Sequence, residues 1–205
     1  MSIPSSCSTL LLDLDNTLID RDAAFASWLQ TLSVLTQRDR QALIQTDAGG
    51  HGSRARLFAQ LRQKLDVSME TARQIFEAGI LAHLRPRPGA DTLLASFSGP
   101  KVIVTNGSSR LQRAKLDAVK LRPFIDAVIV SEELGHRKPH PAIYRAALAS
   151  VSAKPQQALM IGDHPVYDIA GAAQEGISGV LLRTRWFDPP EGVLHIQSLE
   201  ELQRP

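Results

Sequence analysis

The sequence predicts an α/β fold: a doubly wound, Rossmann-like parallel sheet with a small α-helical domain inserted into it. Short apolar runs alternate with helical patterns over most of the chain, which is typical of parallel β-α units with right-handed crossovers. The apolar runs are continuous rather than alternating, as expected of strands that are covered on both faces. One long stretch without any strand pattern interrupts this alternation and predicts the inserted domain.

Five apolar runs bounded by turn or polar residues are the predicted strands. They are Thr9–Leu12, Lys101–Thr105, Ile125–Val130, Ala158–Ile161 and Gly179–Leu182. The helical patterns that separate or follow them are Ala90–Phe97, Ser108–Leu121, Pro141–Val151 and Val166–Glu175, with a last short helix over Ile196–Leu202. This order predicts a sheet with helices on both faces.

The stretch between the first two strands shows only helical periodicity. Its candidate helices are Ala23–Leu35, Asp39–Gln45, Ser53–Leu65 and Ser68–Leu84. Ser53 and Ser68 are suitable N-caps for the last two of these helices. We therefore predict a core formed by residues 1–19 and 86–205 and a helical domain over residues 20–85.

Composition restricts the class of protein. Of 205 residues, 43% are hydrophobic and 21% charged, which suits a globular domain with a sizeable core. The 23 basic and 21 acidic residues give a net charge of +2, too balanced to favour nucleic acid or an anionic membrane as partner. The only cysteine, Cys7, fits a reducing compartment, and the N-terminal apolar run is too short for a signal segment. A cytoplasmic protein, monomeric or homodimeric, is expected.

Polar residues gather where the predicted strands end. Asp13 and Asp15 follow the first strand, Thr105-Asn106-Gly107 closes the second, Lys138 follows the third and Asp163 follows the fourth. Ligands bind outside the carboxyl ends of the strands in open parallel sheets, so these groups are expected at one edge. Carboxylates and substrate phosphate oxygens are ligands that Mg²⁺ prefers, while lysine, hydroxyl and backbone N–H groups bind a phosphoryl group. A dication and a lysine would offset the repulsion between paired aspartates.

Four motifs in order carry a resemblance to a known family. Asp13-x-Asp15-Asn16-Thr17, Thr105-Asn106-Gly107, Lys138-Pro139 and Gly162-Asp163-x4-Asp168 resemble the motifs of the haloacid dehalogenase-like hydrolase superfamily. The resemblance covers nearly the whole chain. It implies that residues 20–85 are the helical cap that this family places between its first and second motifs, and that the remaining residues are the α/β catalytic core.

The resemblance also implies the catalytic roles. Asp13 would be the nucleophile that forms an aspartyl-phosphate, and Asp15 the general acid that protonates the leaving oxygen and then activates water. Lys138 would neutralise the charge of Asp13 and of the phosphoryl group. The phosphoryl oxygens would be held by Thr105, Asn106, Gly107 and Lys138. Apart from the resemblance, a glycine-rich stretch that opens a predicted helix makes Arg54 or Arg56 a candidate for binding an anionic part of the substrate.

The cofactor that the resemblance implies is Mg²⁺. Its ligands would be a carboxylate oxygen of Asp13, the backbone carbonyl of Asp15 and the Asp163 side chain, with Asp168 acting through water or Lys138. The chain departs from the family at His164-Pro165, where serine or threonine is usual; His164 either caps the following helix or touches substrate.

Asp15 discriminates among the activities of the resembled family. Dehalogenases lack an aspartate at this position because a halide leaves without a proton, whereas phosphatases and phosphomutases retain it. We therefore expect a Mg²⁺-dependent phosphohydrolase that acts on a small phosphate monoester. Two alternatives remain at this stage: a phosphomutase of the same fold, and a non-catalytic signalling or binding domain that is phosphorylated on aspartate.

Overall fold

The computed structural model describes residues 3–202, so the outer ends of the predicted core, residues 1–2 and 203–205, lie outside the described residues. The chain divides into two compact units. One runs up to Ile19 and resumes at Pro86, and the other is Asp20–Arg85.

The first unit is built on a parallel sheet. Its described strands are β1 (Thr9–Leu12), β2 (Lys101–Thr105), β3 (Ala127–Val130), β4 (Ala158–Gly162), β5 (Ser178–Leu182) and β6 (His195–Ile196). Their order across the sheet is β3-β2-β1-β4-β5-β6, and every pairing between them is parallel. The order reverses between β1 and β4, so the doubly wound fold has its switch point between these two central strands.

The helices follow the order along the chain. They are α1 (Arg21–Thr31), α2 (Gln37–Asp47), α3 (Arg54–Leu65), α4 (Met69–His83), α5 (Ala90–Ser96), α6 (Ser109–Ala118), α7 (Ser131–Leu134) and α8 (Pro141–Ser150), followed by a π-helical segment (Pro165–Ala170) that leads into α9 (Gly171–Gln174). Within residues 3–202, none of these helices has the length and apolar character needed to cross a membrane.

Helix α8 covers one face of the sheet and shows why the strands read as continuous apolar runs. Its Ile143 and Ala147 are fully buried in one cluster with Val102 and Val104 of β2. Because helices cover both faces of the sheet, neither face of a strand favours polar side chains, and the apolar runs are continuous. The predicted α/β sheet is confirmed.

The edges of the sheet differ from the prediction. The third strand begins at Ala127 rather than Ile125, because the Ile125 N–H closes a 3₁₀ turn on the Arg122 carbonyl. The predicted helix Ile196–Leu202 is wrong: Ile196 belongs to β6, and only Leu199–Glu201 forms a 3₁₀ turn. Strand β6 has only two residues, too few to form an apolar run in the sequence. Its extended conformation depends on parallel pairing with β5.

The second unit consists of α1 to α4. Phe25 and Trp28 of α1 meet Phe76 of α4, with ring centroids 5.8 and 5.9 Å from the Phe76 ring. Beside this aromatic cluster the buried Arg21 donates to the buried Asp47 carboxylate through Nη1 at 2.5 Å and Nη2 at 2.7 Å. The cluster and the ion pair lie in the interior of this helical unit, together with buried leucines such as Leu57 and Leu61.

Capping side chains set the helix starts in this unit. The hydroxyls of Ser53 and Ser68 accept the backbone N–H groups of Arg56 and Thr71, which confirms both predicted N-caps. Helix α2 begins at Gln37, two residues before the predicted start, because Thr36 and Asp39 form a capping box.

Candidate active site

The switch point of the sheet carries two of the predicted acids. Asp13 follows β1 directly and its N–H donates to the Ile161 carbonyl of β4 at 2.9 Å, so it continues the ladder between these strands. Asp163 follows β4 and is buried. Adjacent parallel strands that end at the same level bring the two carboxylates to one place.

Lys138 joins two buried carboxylates. Its Nζ donates to Asp13 Oδ1 and to Asp168 Oδ1, each at 2.6 Å, and the lysine itself is buried. Asp168 also accepts the His164 N–H through Oδ2 at 2.9 Å, so both oxygens of its carboxylate are hydrogen-bonded. Charge-assisted hydrogen bonds of this kind orient Asp13 as well as neutralise it.

Three carboxylates form a candidate metal centre. Asp13, Asp163 and Asp168 each place one oxygen within 4.8 Å of the others, and all three residues are buried. A set of hard oxygen donors is the ligand chemistry of Mg²⁺, so the residues present fit the ion that the sequence implies. The participation of Asp15 through its backbone carbonyl stays a prediction.

The electrostatics of this centre show an excess of negative charge. Burial raises the pKa of Asp13 to about 7; Lys138 acts against this rise, while Asp168 and Asp163 add to it. For Lys138, burial acts to lower the pKa, but Asp13 and Asp168 outweigh it and raise the pKa above its usual value. The ammonium therefore stays charged, and a divalent cation beside it would favour the ionised form of Asp13.

Asn106 fastens the segment that carries Lys138. The Asn106 side chain donates through Nδ2 to the Lys138 carbonyl at 3.1 Å and accepts the Lys138 N–H at 2.8 Å. The Gly107 N–H donates to Ser131 Oγ at 3.0 Å. The second motif thus positions the backbone of the third motif. The predicted contacts of Asn106 and Gly107 with a phosphoryl group stay predictions.

Two residues that the sequence analysis missed contact Asp15. Lys115 Nζ donates to Asp15 Oδ1 at 2.8 Å and to Oδ2 at 2.6 Å. Gln112 Nε2 donates to Asp15 Oδ2 at 3.1 Å and to Thr105 Oγ1 at 2.5 Å. Gln112 and Lys115 lie on the buried face of α6 together with Leu116, at spacings of three and four residues. The helical spacing of these residues, soon after the motif Thr105-Asn106-Gly107, was the sequence signal that could have identified Gln112 and Lys115 as site residues.

The ring of His164 acts on its own turn of the chain. Its Nδ1 accepts the backbone N–H groups of Val166 and Tyr167, both at 3.1 Å, and the ring stacks on Tyr167 at 3.8 Å between centroids. His164 therefore caps the π-helical segment that carries Asp168. This is the capping role that the sequence analysis weighed against contact with substrate.

Arg54 lies in the second unit, at the first position of α3. Its Nη1 donates to Asp47 Oδ1 at 2.6 Å and its Nη2 to the Gly50 carbonyl at 3.2 Å, while 41% of the side chain is exposed. The guanidinium thus completes the ion pair between Asp47 and Arg21. Its contact with an anionic part of a substrate stays a prediction.

Comparisons with known proteins bear on the family and the fold of the chain. A family model of haloacid dehalogenase-like hydrolases matches residues 10–182. The chain is 33% identical over 197 residues to a phosphoglycolate phosphatase from Caulobacter vibrioides, covering 89% of this chain and 82% of that protein. It is 31% identical over 153 residues to the pyrimidine 5′-nucleotidase YjjG from Escherichia coli, covering 72% of this chain and 68% of that one. Among solved structures, the magnesium-bound HAD-hydrolase YfnB from Bacillus subtilis is similar in fold, with a TM-score of 0.77, 24% identity and coverage of 95% and 96%.

Proposed function

The chain belongs to the haloacid dehalogenase-like hydrolases and is a phosphatase of that family, and from this premise we propose that it hydrolyses a small phosphate monoester through an aspartyl-phosphate on Asp13. The observation that carries the proposal is Lys138, whose ammonium joins the carboxylates of Asp13 and Asp168 beside Asp163 at the switch point. A buried nucleophile oriented by a cation, next to a set of oxygen donors, suits phosphoryl transfer.

The metal side of the proposal concerns Mg²⁺. Asp13, the Asp15 carbonyl and Asp163 would hold the ion, and Asp168 would support the site through Lys138. When bound, Mg²⁺ supplies charge that neutralises the phosphoryl oxygens and favours the ionised form of Asp13. Lys138 supplies further positive charge on the side of the nucleophile.

In the first step Asp13 acts as the nucleophile. A carboxylate oxygen of Asp13 forms a bond to phosphorus while the bond from phosphorus to the ester oxygen breaks. The proton of the Asp15 carboxyl passes to the departing oxygen, so the substrate leaves as an alcohol. Thr105 and Asn106, at the end of β2, would hold the transferring phosphoryl oxygens.

In the second step water takes the place of the alcohol. The Asp15 carboxylate accepts a proton from water as the water oxygen bonds to phosphorus and the bond to Asp13 breaks. Inorganic phosphate is released, Asp13 is again a carboxylate and Asp15 is again protonated. The net reaction is hydrolysis of one phosphate ester bond by one water molecule.

Hydrolysis of 4-nitrophenyl phosphate tests the proposal. We expect turnover by the wild type with Mg²⁺, none with EDTA, and a loss of at least about 10³-fold in Asp13→Asn, because an amide is a poor nucleophile. Unchanged circular dichroism shows that the variant is folded. Normal turnover by folded Asp13→Asn would refute the mechanism.

The products distinguish the alternatives. Release of inorganic phosphate without isomerisation of a sugar phosphate supports hydrolysis over mutase activity. An aspartyl-phosphate that persists for minutes would instead favour a signalling domain. A panel of small phosphate monoesters, including phosphoglycolate and pyrimidine nucleotides because relatives are named for them, identifies the substrate.

A further inference from the structure

Lys115 is a buried cation with no part in the family motifs. It lies on α6 and is 3% exposed, yet its ammonium contacts both oxygens of the Asp15 carboxylate, at 2.8 and 2.6 Å. It also donates to Gln112 Oε1 at 2.7 Å. Both carboxylate oxygens are thus held from one side by the same ammonium group.

Gln112 connects this ion pair to the second motif. Its Nε2 donates to Thr105 Oγ1 at 2.5 Å and to Asp15 Oδ2 at 3.1 Å, while its Oε1 accepts from Lys115. The amide therefore links the side chain that ends β2 with the side chain that follows β1. A rotation of Asp15 would break contacts to both Lys115 and Gln112, so the network restricts the carboxylate to one orientation.

Stability alone is a weak reason for this arrangement. The desolvation cost of a buried ion pair often equals or exceeds its Coulomb attraction, and well-packed apolar residues are commonly as stable. Asp15 keeps 23% of its side chain exposed, whereas the Lys115 side chain is only 4% exposed. The Asp15 carboxylate is therefore partly accessible to solvent, whereas the Lys115 ammonium contacts it from the buried side.

We propose that Lys115 is a positioning residue for the acid–base steps of Asp15, an inference that rests on the proposed phosphatase mechanism. In the first step the Asp15 proton goes to the departing ester oxygen, and the carboxylate left behind is stabilised by the Lys115 ammonium. In the second step the same contacts aim the carboxylate at the water whose proton it accepts. Lys115 would act through Asp15, with which its ammonium is in direct contact.

The leaving group provides a readout that a purely structural role would not change. An alkyl alcohol needs the proton of Asp15 to depart, whereas 2,4-dinitrophenolate departs without one. The ratio kcat/KM includes steps only up to departure of the alcohol, so hydrolysis of the intermediate does not enter it. For Lys115→Met we expect kcat/KM to fall about 10²-fold with the best alkyl phosphate and less than about tenfold with 2,4-dinitrophenyl phosphate.

Two further variants complete the experiment. Lys115→Gln keeps hydrogen bonding without the charge and serves if Lys115→Met fails to fold. Lys101→Met is the matched control, because Lys101 donates to the Phe97 and Gly99 carbonyls at the opposite end of β2. We expect this control to retain wild-type kcat/KM with both substrates.

A double-mutant cycle with Asp15→Asn tests whether Lys115 acts through Asp15. We expect Lys115→Met to have no further effect on alkyl phosphates in the Asp15→Asn background. Equal losses with both leaving groups, or full additivity with Asp15→Asn, would overturn the inference while leaving the phosphatase mechanism intact. Absence of hydrolysis by the wild type would refute the proposed function itself, and this inference with it.

Discussion

Gly162 is the position where one added methyl group should test the geometry of the candidate site. Gly162 is the last residue of β4, and a Cβ there would lie 2.5 Å from Asp168 Cβ and overlap its carboxyl group. Asp168 is 1% exposed and cannot move without losing its ion pair with Lys138 or its hydrogen bond from His164. Gly162→Ala should therefore displace Asp168.

The expected magnitude follows from these contacts. Overpacking of a filled interior costs about 1–3 kcal/mol, and loss of a hydrogen bond to a charged partner costs about 1.5–3 kcal/mol. The reduced freedom of the unfolded chain returns about 0.4–1 kcal/mol. We expect a net loss of about 2–5 kcal/mol in the free energy of unfolding. Loss of the support that Asp168 gives to Lys138 should lower kcat/KM about 10–100-fold.

Urea unfolding and hydrolysis of 4-nitrophenyl phosphate measure the two effects, with Gly179→Ala as the control. Gly179 lies on neighbouring β5, and the nearest atoms to a Cβ there would be apolar atoms of the Ile169 side chain, at 3.1 and 3.2 Å. We expect Gly179→Ala to stay within about 1 kcal/mol of the wild type and to keep its activity. A Gly162→Ala protein with wild-type stability and wild-type kcat/KM would refute this account of Asp168.

Three further predictions concern the helical unit. Asp47→Asn should cost about 3–5 kcal/mol in the free energy of unfolding measured with urea, because Arg21 is then left buried without its carboxylate; a loss below about 1 kcal/mol would contradict this. Burial acts to raise the pKa of Asp47, but Arg21 and Arg54 outweigh it and hold the pKa below its usual range. Folding therefore favours the ionised form, and this stability is present above about pH 4 and lost as the pH falls through the depressed folded value. Urea midpoints between pH 7 and pH 3 should fall more steeply for the wild type than for Asp47→Asn, and equal slopes would count against the ion pair. Gly79→Ala should cost about 1–3 kcal/mol and change tryptophan fluorescence, since its Cβ would lie 2.5 Å from Trp28 Cε2; an unchanged spectrum and urea midpoint would argue against this packing.

The central strands could be predicted because the information is local. Three to four consecutive apolar residues at β1, β2 and β4 indicate strands without reference to the rest of the chain. The edge of the sheet lacks that signal, since β6 has two residues and is ordered by its neighbour β5. The predicted helix over Ile196–Leu202 failed for this reason.

The sequence by itself determined the family and the side chains that gather at the strand ends. The motif residues follow apolar runs directly, so their positions are fixed by local chain geometry and by the rule that parallel strands end at one edge. The hydrogen-bond partners of these side chains could not be predicted from the sequence. Asn106, for example, reads as a phosphate ligand in the motif, and the structure shows its amide bound to the Lys138 backbone.

Only the tertiary structure decided how the acids are held. Lys115 lies 100 positions from Asp15, and Lys138 lies 125 positions from Asp13. From the sequence alone, Lys115 would be predicted to be a solvent-exposed lysine on a helix, because lysine is rarely buried. In the folded chain Lys115 is buried, and its ammonium donates to the Asp15 carboxylate and to Gln112 instead of to water. Contacts of this kind depend on the packing of distant elements, which no local pattern of residues contains.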